Sequence, residues 1–265
     1  MNMSKWLFNE IFLPTYKLSN GLVFPNLIVG IVLFSAMILL ICRPAKLPLT
    51  HIGWKQSTLK SGCLIVIVTW LALQVAAVLA ALIGGHGLAL HSDWTTGNYS
   101  GVGRLIGQLI GTAPFEESLF RGILPVQLFF WLSKREPRRV YRWVVITMLL
   151  SAIAFAVPHI PNRILNNSYT GLGSVIQDQL LLMLAAIVFL WVYLSTGNLW
   201  FVIGLHSLIN APTLIVASPI DGSSQVILLI AMLGVSLTPR LRRFLSPIPC
   251  ENESDTAFPP GAPAI

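Results

Sequence analysis

Long apolar stretches alternate with short polar connections along this chain. A bilayer helix needs about 20 mostly apolar residues, and runs of that kind occupy 22–42, 63–83, 104–131, 143–160, 174–195 and 198–217, with a shorter, weaker one at 225–238. The pattern predicts an all-α fold, a polytopic transmembrane helical bundle of about seven spans. Residues 1–21 mix Trp6, Leu7, Phe8, Ile11, Phe12 and Leu13 with Lys5, Glu10 and Lys17, the make-up of an amphipathic segment lying along the interface. From Ser246 onward the chain is rich in Pro, Ser and acidic residues and reads as a disordered tail. The expected organisation is therefore an interfacial segment at 1–21, a bundle at 22–245 and a tail at 246–265.

Composition supports bilayer as the solvent. Hydrophobic residues make up 55% of the 265 positions and charged residues 10%, with a mean hydropathy of +0.75, whereas soluble domains carry about 25% charged residues. The formal charge of +7 does not point to nucleic acid, because that partner requires Lys and Arg on a solvated patch or stripe. Here they cluster between apolar runs: Arg43, Lys46, Lys55 and Lys60, then Lys134, Arg135, Arg138, Arg139 and Arg142, then Arg240, Arg242 and Arg243. The alternate connections hold Arg163 and no other Lys or Arg. Basic loops are retained in the cytoplasm, so seven crossings place the amino end outside and the carboxyl end in the cytoplasm. Lys5 and Lys17 pull mildly the other way and leave room for an extra re-entrant or spanning element at the amino end. The first run is too long for a signal-peptide core and ends in Cys42-Arg43-Pro44, so it is expected to remain as a span. Cys42, Cys63 and Cys250 suggest neither a disulfide framework nor a metal knuckle.

The ionisable residues inside the runs fall mainly into three patches: Glu116, Glu117 and Arg121; His159; and His206. Asp178 is the main exception, near a helix end. A charge at the centre of a membrane helix costs about 2.5–3.5 kcal/mol on insertion scales, so such residues face an interior or a cavity and are functional candidates. Glu117 and Arg121 stand four apart on one helical face, where the guanidinium can hold the carboxylate. Glu116 points about 100° away and is left to act as a base. The plainer reading is an ion pair that ties helices together. His206 and Asn210, also four apart, present an imidazole and an amide that can both donate, suited to an oxyanion or, more plainly, to interhelical hydrogen bonding. His159 is alone on its helix and by itself reads as a structural or boundary histidine.

Together these side chains suffice for water activation and carbonyl polarisation, and two chemistries stay open. In one, Glu116, His159 and His206 hold zinc and leave a position for water. In the other, which needs no metal, Glu116 helped by His159 deprotonates a water, Glu117 and Arg121 order the site, and His206 with Asn210 receives the oxyanion.

The three patches resemble the motifs of the CAAX prenyl protease and bacteriocin-processing (CPBP, or Abi) family of intramembrane endopeptidases. Its EExxxR motif, usually continued as FRG, is matched by Glu116-Glu117-Ser118-Leu119-Phe120-Arg121-Gly122. Its FxxxH motif is matched by Phe155-Ala156-Val157-Pro158-His159, with Ser151 ahead of it, and its HxxxN motif by His206-Ser207-Leu208-Ile209-Asn210. The likeness covers about 104–217. It implies that the Glu and His residues are catalytic and that the substrate is a membrane-associated peptide or protein, in some members cut after a prenylated cysteine. It also implies either a zinc-dependent or a glutamate-dependent protease, in the inner (plasma) membrane if the chain is bacterial. Two other functions compete: a non-catalytic scaffold or bacteriocin self-immunity factor of the same fold, and a proton-coupled transporter. The missing internal repeats and the few spans broken by Gly or Pro weigh against the transporter.

One depth is out of line. At about 1.5 Å per residue, His206 lies about 12 Å in from Asn198 and Glu116 about 18 Å in from Arg104, but His159 lies about 26 Å from Arg142. The fourth helix is expected to start outside the bilayer or to have other boundaries, and Pro158 to bend the chain before His159.

Overall fold

The computed structural model of the chain describes residues 8–85, 87–134 and 139–245, apart from the side chain of Asp221. Lys5, Trp6, Leu7, Arg135, Arg138, Cys250 and the tail expected from Ser246 lie outside the described residues. The fold is all α. Its named helices are α1 (Leu13–Leu18), α2 (Pro25–Met37), α3 (Gln56–Ile83), α4 (Ser100–Ile106), α5 (Ala113–Glu117), α6 (Leu124–Ser133), α7 (Val140–Ala156), α8 (His159–Leu165), α9 (Leu172–Thr196), α10 (Leu199–Asn210), α11 (Ser224–Leu237) and α12 (Pro239–Leu245). Four helical stretches among the described residues, Pro25–Cys42, Leu49–Ile83, Val140–Leu165 and Leu172–Thr196, are long and apolar enough to cross a membrane. A fifth arises if α11 and α12, bent by 90°, count as one span. Their outward faces expose large apolar side chains, such as Leu64, Ile67, Leu71 and Val75 on α3. Apolar surface of this extent belongs against hydrocarbon, and the protein is an integral membrane protein.

The run that carries Glu116, Glu117 and Arg121 is helical from 100 to 133, but it is not a plain α-helix. π turns at Gly107–Thr112 and Ser118–Ile123 flank α5, and another at Ile38–Cys42 ends the first span. Pro114, Pro125 and Pro44 each follow such a turn by two residues. A proline inside a helix lacks an N–H and its ring clashes with the carbonyl four residues back. The wider turn relieves that clash: the N–H of Ala113 reaches Gln108 O and that of Leu124 reaches Leu119 O, each five residues back. The two glutamates therefore sit on one short α segment between two widened turns, a geometry frequent at functional sites.

This run lies close against α2 because it presents glycines at four-residue spacing, Gly103, Gly107 and Gly111. A Cβ on Gly30 of α2 would lie 2.1 Å from the Gly111 carbonyl carbon, so both positions need glycine for the backbones to approach this closely. Such stripes of small residues are how membrane helices gain contact without a hydrophobic drive between them.

α10 is the centre of the bundle, packed by α3, α4, α5, α9, α11 and the π turn at Gly107–Thr112. Nearly every residue from Leu199 to Ile209 is buried. Its start is built by Gly197-Asn198: Gly197 ends α9 in the left-handed conformation at φ 62, and the Asn198 side chain accepts from Phe201 N–H at 3.0 Å. This pairing of a glycine stop with an asparagine cap makes a tight helix reversal. Asn198 Nδ2 also donates to Thr58 O and Leu245 O, both at 3.0 Å, so the ends of α3, α10 and α12 beside Lys55, Lys60 and Arg240–Arg243 meet at one face of the bundle.

The apolar run expected at 198–217 is helical only to Asn210. Pro212 removes an N–H and drives Ala211 to an extended backbone, φ −144 and ψ 76. With 12 residues, α10 is about 18 Å long at 1.5 Å per residue. Segment 211–217 continues as irregular backbone whose polar groups are met from the surrounding protein. Trp94 Nε1 donates to Leu214 O at 2.7 Å and Gln74 Oε1 accepts from Ile215 N–H at 2.9 Å, while Trp70 Nε1 holds the Thr213 side chain through Oγ1 at 3.0 Å. Irregular chain at membrane depth persists only when satisfied in this way. An isolated antiparallel bridge joins Val216 to Leu90.

Candidate active site

Glu117 is fully buried at the point where α5 meets α10. Its Oε2 lies 3.0 Å from Arg121 Nε, one turn on, with side-chain exposures of 0% and 1%. The contact lacks the alignment of a hydrogen bond, and the terminal guanidinium nitrogens of Arg121 have no hydrogen-bond partner among the described residues. The guanidinium is instead held between two aromatic rings, 4.6 Å from the Phe155 centroid and 5.0 Å from the Phe189 centroid. Desolvated cation–π contacts of this kind contribute about 2 kcal/mol each. Nothing in the sequence pattern singled out Phe189; it is one apolar residue of α9 among many, and only packing brings it to the arginine.

The other carboxylate oxygen of Glu117 faces His206. Its Oε1 accepts from His206 Nδ1–H at 2.5 Å, with the imidazole buried. A carboxylate has only acceptor oxygens, so the bond places a proton on Nδ1 and turns Nε2 outward. There it meets Glu116 Oε2 at 3.6 Å. That separation exceeds a direct hydrogen bond and lets both atoms reach one small polar group placed beside them. Glu116 keeps 16% of its side chain exposed. The two glutamates thus have different surroundings, one sealed between Arg121 and His206 and the other at the open side of the imidazole.

His159 comes near the site but is not in direct contact with these groups. α7 ends at Ala156, the chain turns at Val157 and Pro158, and His159 opens α8. The break is local, because Val157 and Pro158 keep helical backbone angles and Val140–Leu165 remains one stretch long enough to cross a membrane. Its Nδ1–H donates to Phe155 O at 2.9 Å, and its ring centroid stands 5.0 Å from that of Phe155, which in turn is 6.4 Å from His206. The Phe155 side chain therefore links the two imidazoles. Among the described residues no three His, Cys, Asp or Glu side chains come together as a set that holds a metal ion. Glu116, His159 and His206 do not form a zinc cradle in this arrangement.

Asn210, one turn beyond His206, is turned toward a different partner. Its Nδ2 donates to Gln108 Oε1 at 3.2 Å, and it also lines a cavity of about 310 Å³ with His91, Ser92, Asp93, Arg104 and Thr213. Thr213 holds φ at 47, a strained value for a β-branched residue. Gln108, 7% exposed, escaped the motif reading; its signal was a lone amide side chain in an otherwise apolar stretch.

Residues 98–212 match the family described as type II CAAX prenyl endopeptidase, Rce1-like. This Rce1-like segment is a little under half of the chain and runs from the start of α4 to Pro212. It carries all six motif residues and Gln108, and it agrees with the CAAX protease family named from the three motifs. Over this segment the chain is similar to CAAX-type membrane endopeptidases. None of the curated proteins and none of the solved structures compared with the chain matches it.

Proposed function

We propose that the protein is a CAAX-protease-like intramembrane endopeptidase that hydrolyses a peptide bond of a membrane-associated peptide or protein, with Glu116 as general base. The observation that carries this reading is the buried His206 imidazole held between two carboxylates, one locked to Arg121 and one partly open. A water between Glu116 Oε2 and His206 Nε2 gives its proton to Glu116, and the hydroxide adds to the scissile carbonyl carbon. Passage of that proton to His206 Nε2 creates an imidazolium whose charge Glu117 balances. The imidazolium then protonates the departing amine as the C–N bond breaks, which leaves a carboxylic acid and an amine. Asn210 supplies an amide N–H to the tetrahedral oxyanion, and Arg121 keeps Glu117 in place. His159 acts through Phe155, which it braces beside both His206 and Arg121. In this reading the basic ends of the helices face the cytoplasm, the carboxyl terminus included.

The test uses the full chain in lipid vesicles with a farnesylated peptide ending in Cys, two aliphatic residues and a variable residue as the probe. Glu116→Gln is expected to lower kcat by about 10²–10⁴-fold while the protein melts as wild type does. Turnover of this variant at the wild-type rate would remove Glu116 from the role. A wild-type protein that binds the peptide and leaves it whole would favour the scaffold reading.

A further inference from the structure

We infer that Gln108 is a positioning residue for the peptide-cleaving site, holding the Asn210 amide in the one orientation that serves the substrate. This rests on the endopeptidase reading above and extends it to a residue outside the three motifs. An amide side chain within a membrane bundle is stable only when it is hydrogen-bonded, and Gln108 is nearly buried with Asn210 as its partner. In this contact Gln108 presents its oxygen and Asn210 its Nδ2. The pairing leaves the second N–H and the Oδ1 of Asn210 for other partners. Asn210 lines the 310 Å³ cavity, whereas Gln108 is not among its lining residues and stands behind it.

The placement of Gln108 ties this orientation to the base. Gln108 lies in the π turn Gly107–Thr112 on the same uninterrupted helical run as Glu116, and Asn210 lies one turn from His206 on α10. The two helical segments are therefore joined at two levels, Glu117 to His206 and Gln108 to Asn210. Glu116, His206 and the Asn210 amide are held in register as one unit. An ordinary interhelical bond would stabilise the bundle without acting through Asn210, and that difference can be measured.

Gln108→Leu, Asn210→Ala and the double variant are assayed with the same farnesylated peptide, after melting temperatures establish that each is folded. Gln108→Leu is expected to lower kcat about tenfold with KM within about twofold, less than the 10²–10³-fold typical of losing an oxyanion donor itself. In the double variant it should add nothing to the loss from Asn210→Ala, the non-additivity of residues acting through one another. Gln108→Glu, which keeps an acceptor oxygen facing Asn210, should recover most of the loss; if the leucine variant fails to fold, Gln108→Glu and Gln108→Asn carry the cycle. Additive losses, or a Gln108→Leu kcat equal to wild type, overturn the inference while a cleaving wild type leaves the endopeptidase reading standing. A wild-type protein that leaves the peptide whole brings down both.

Discussion

Two arginine–carboxylate pairs in this protein sit in opposite surroundings. Arg121 and Glu117 are sealed among α5, α9 and α10, with Phe155 and Phe189 on the guanidinium and His206 on the carboxylate. Arg104 and Asp93 pair at the rim of the cavity, with 42% and 23% of their side chains exposed. The first pair is four residues apart on one helical run; the second joins α4 to the connection that follows α3. A buried pair gives stability only while both members are present, because either one alone is an uncompensated charge in a low dielectric. A pair that water reaches is screened and contributes little. The same two functional groups are thus a structural keystone in one place and a surface detail in the other.

Stranding Glu117 without its arginine is expected to have the largest effect. Arg121→Met should lower the unfolding free energy by about 3–5 kcal/mol, measured by denaturant or thermal unfolding in detergent. Adding Glu117→Leu to it should return most of that stability, though not cleavage. If Arg121→Met unfolds as wild type does, the buried pair is no keystone. Gly30→Ala probes the packing that brings the glutamate run against α2. Its Cβ would collide with backbone at Gly111, and backbone does not yield as a side chain does, so a loss of about 1–3 kcal/mol is expected. A Gly30→Ala protein with unchanged melting would mean that the helices are free to separate. The smallest effect should come from Asp93→Asn, within about 1 kcal/mol in the same unfolding assay. A loss as large as that of Arg121→Met would show that the rim pair is buried in the working protein.

Two relations within the candidate site were legible from residue spacing. Glu117 and Arg121 declare a shared face because 3.6 residues make a turn, and charged or imidazole groups in apolar runs declare an interior because lipid rejects them. Which groups meet across helices was not legible. Glu117, expected to answer to Arg121, is also the partner of His206. His159, expected at the water, stands with its ring 5.0 Å from that of Phe155. Asn210 turns to Gln108, a residue the motifs omit. The run at 198–217 looked like one span because apolarity is all that hydropathy records, and the stop at Pro212 depends on partners that make irregular backbone tolerable: Gln74 and Trp94.

The sequence by itself determined the solvent, the helical class and the chemical groups available, since these follow from local periodicity and from the cost of burying charge. Tertiary structure alone decided which carboxylate is sealed and which is open. That distinction depends on how closely α5 and α10 approach and on what fills the space around each oxygen. Glycine contacts, π turns and aromatic packing set those distances, and they are properties of pairs of helices rather than of any one stretch of chain.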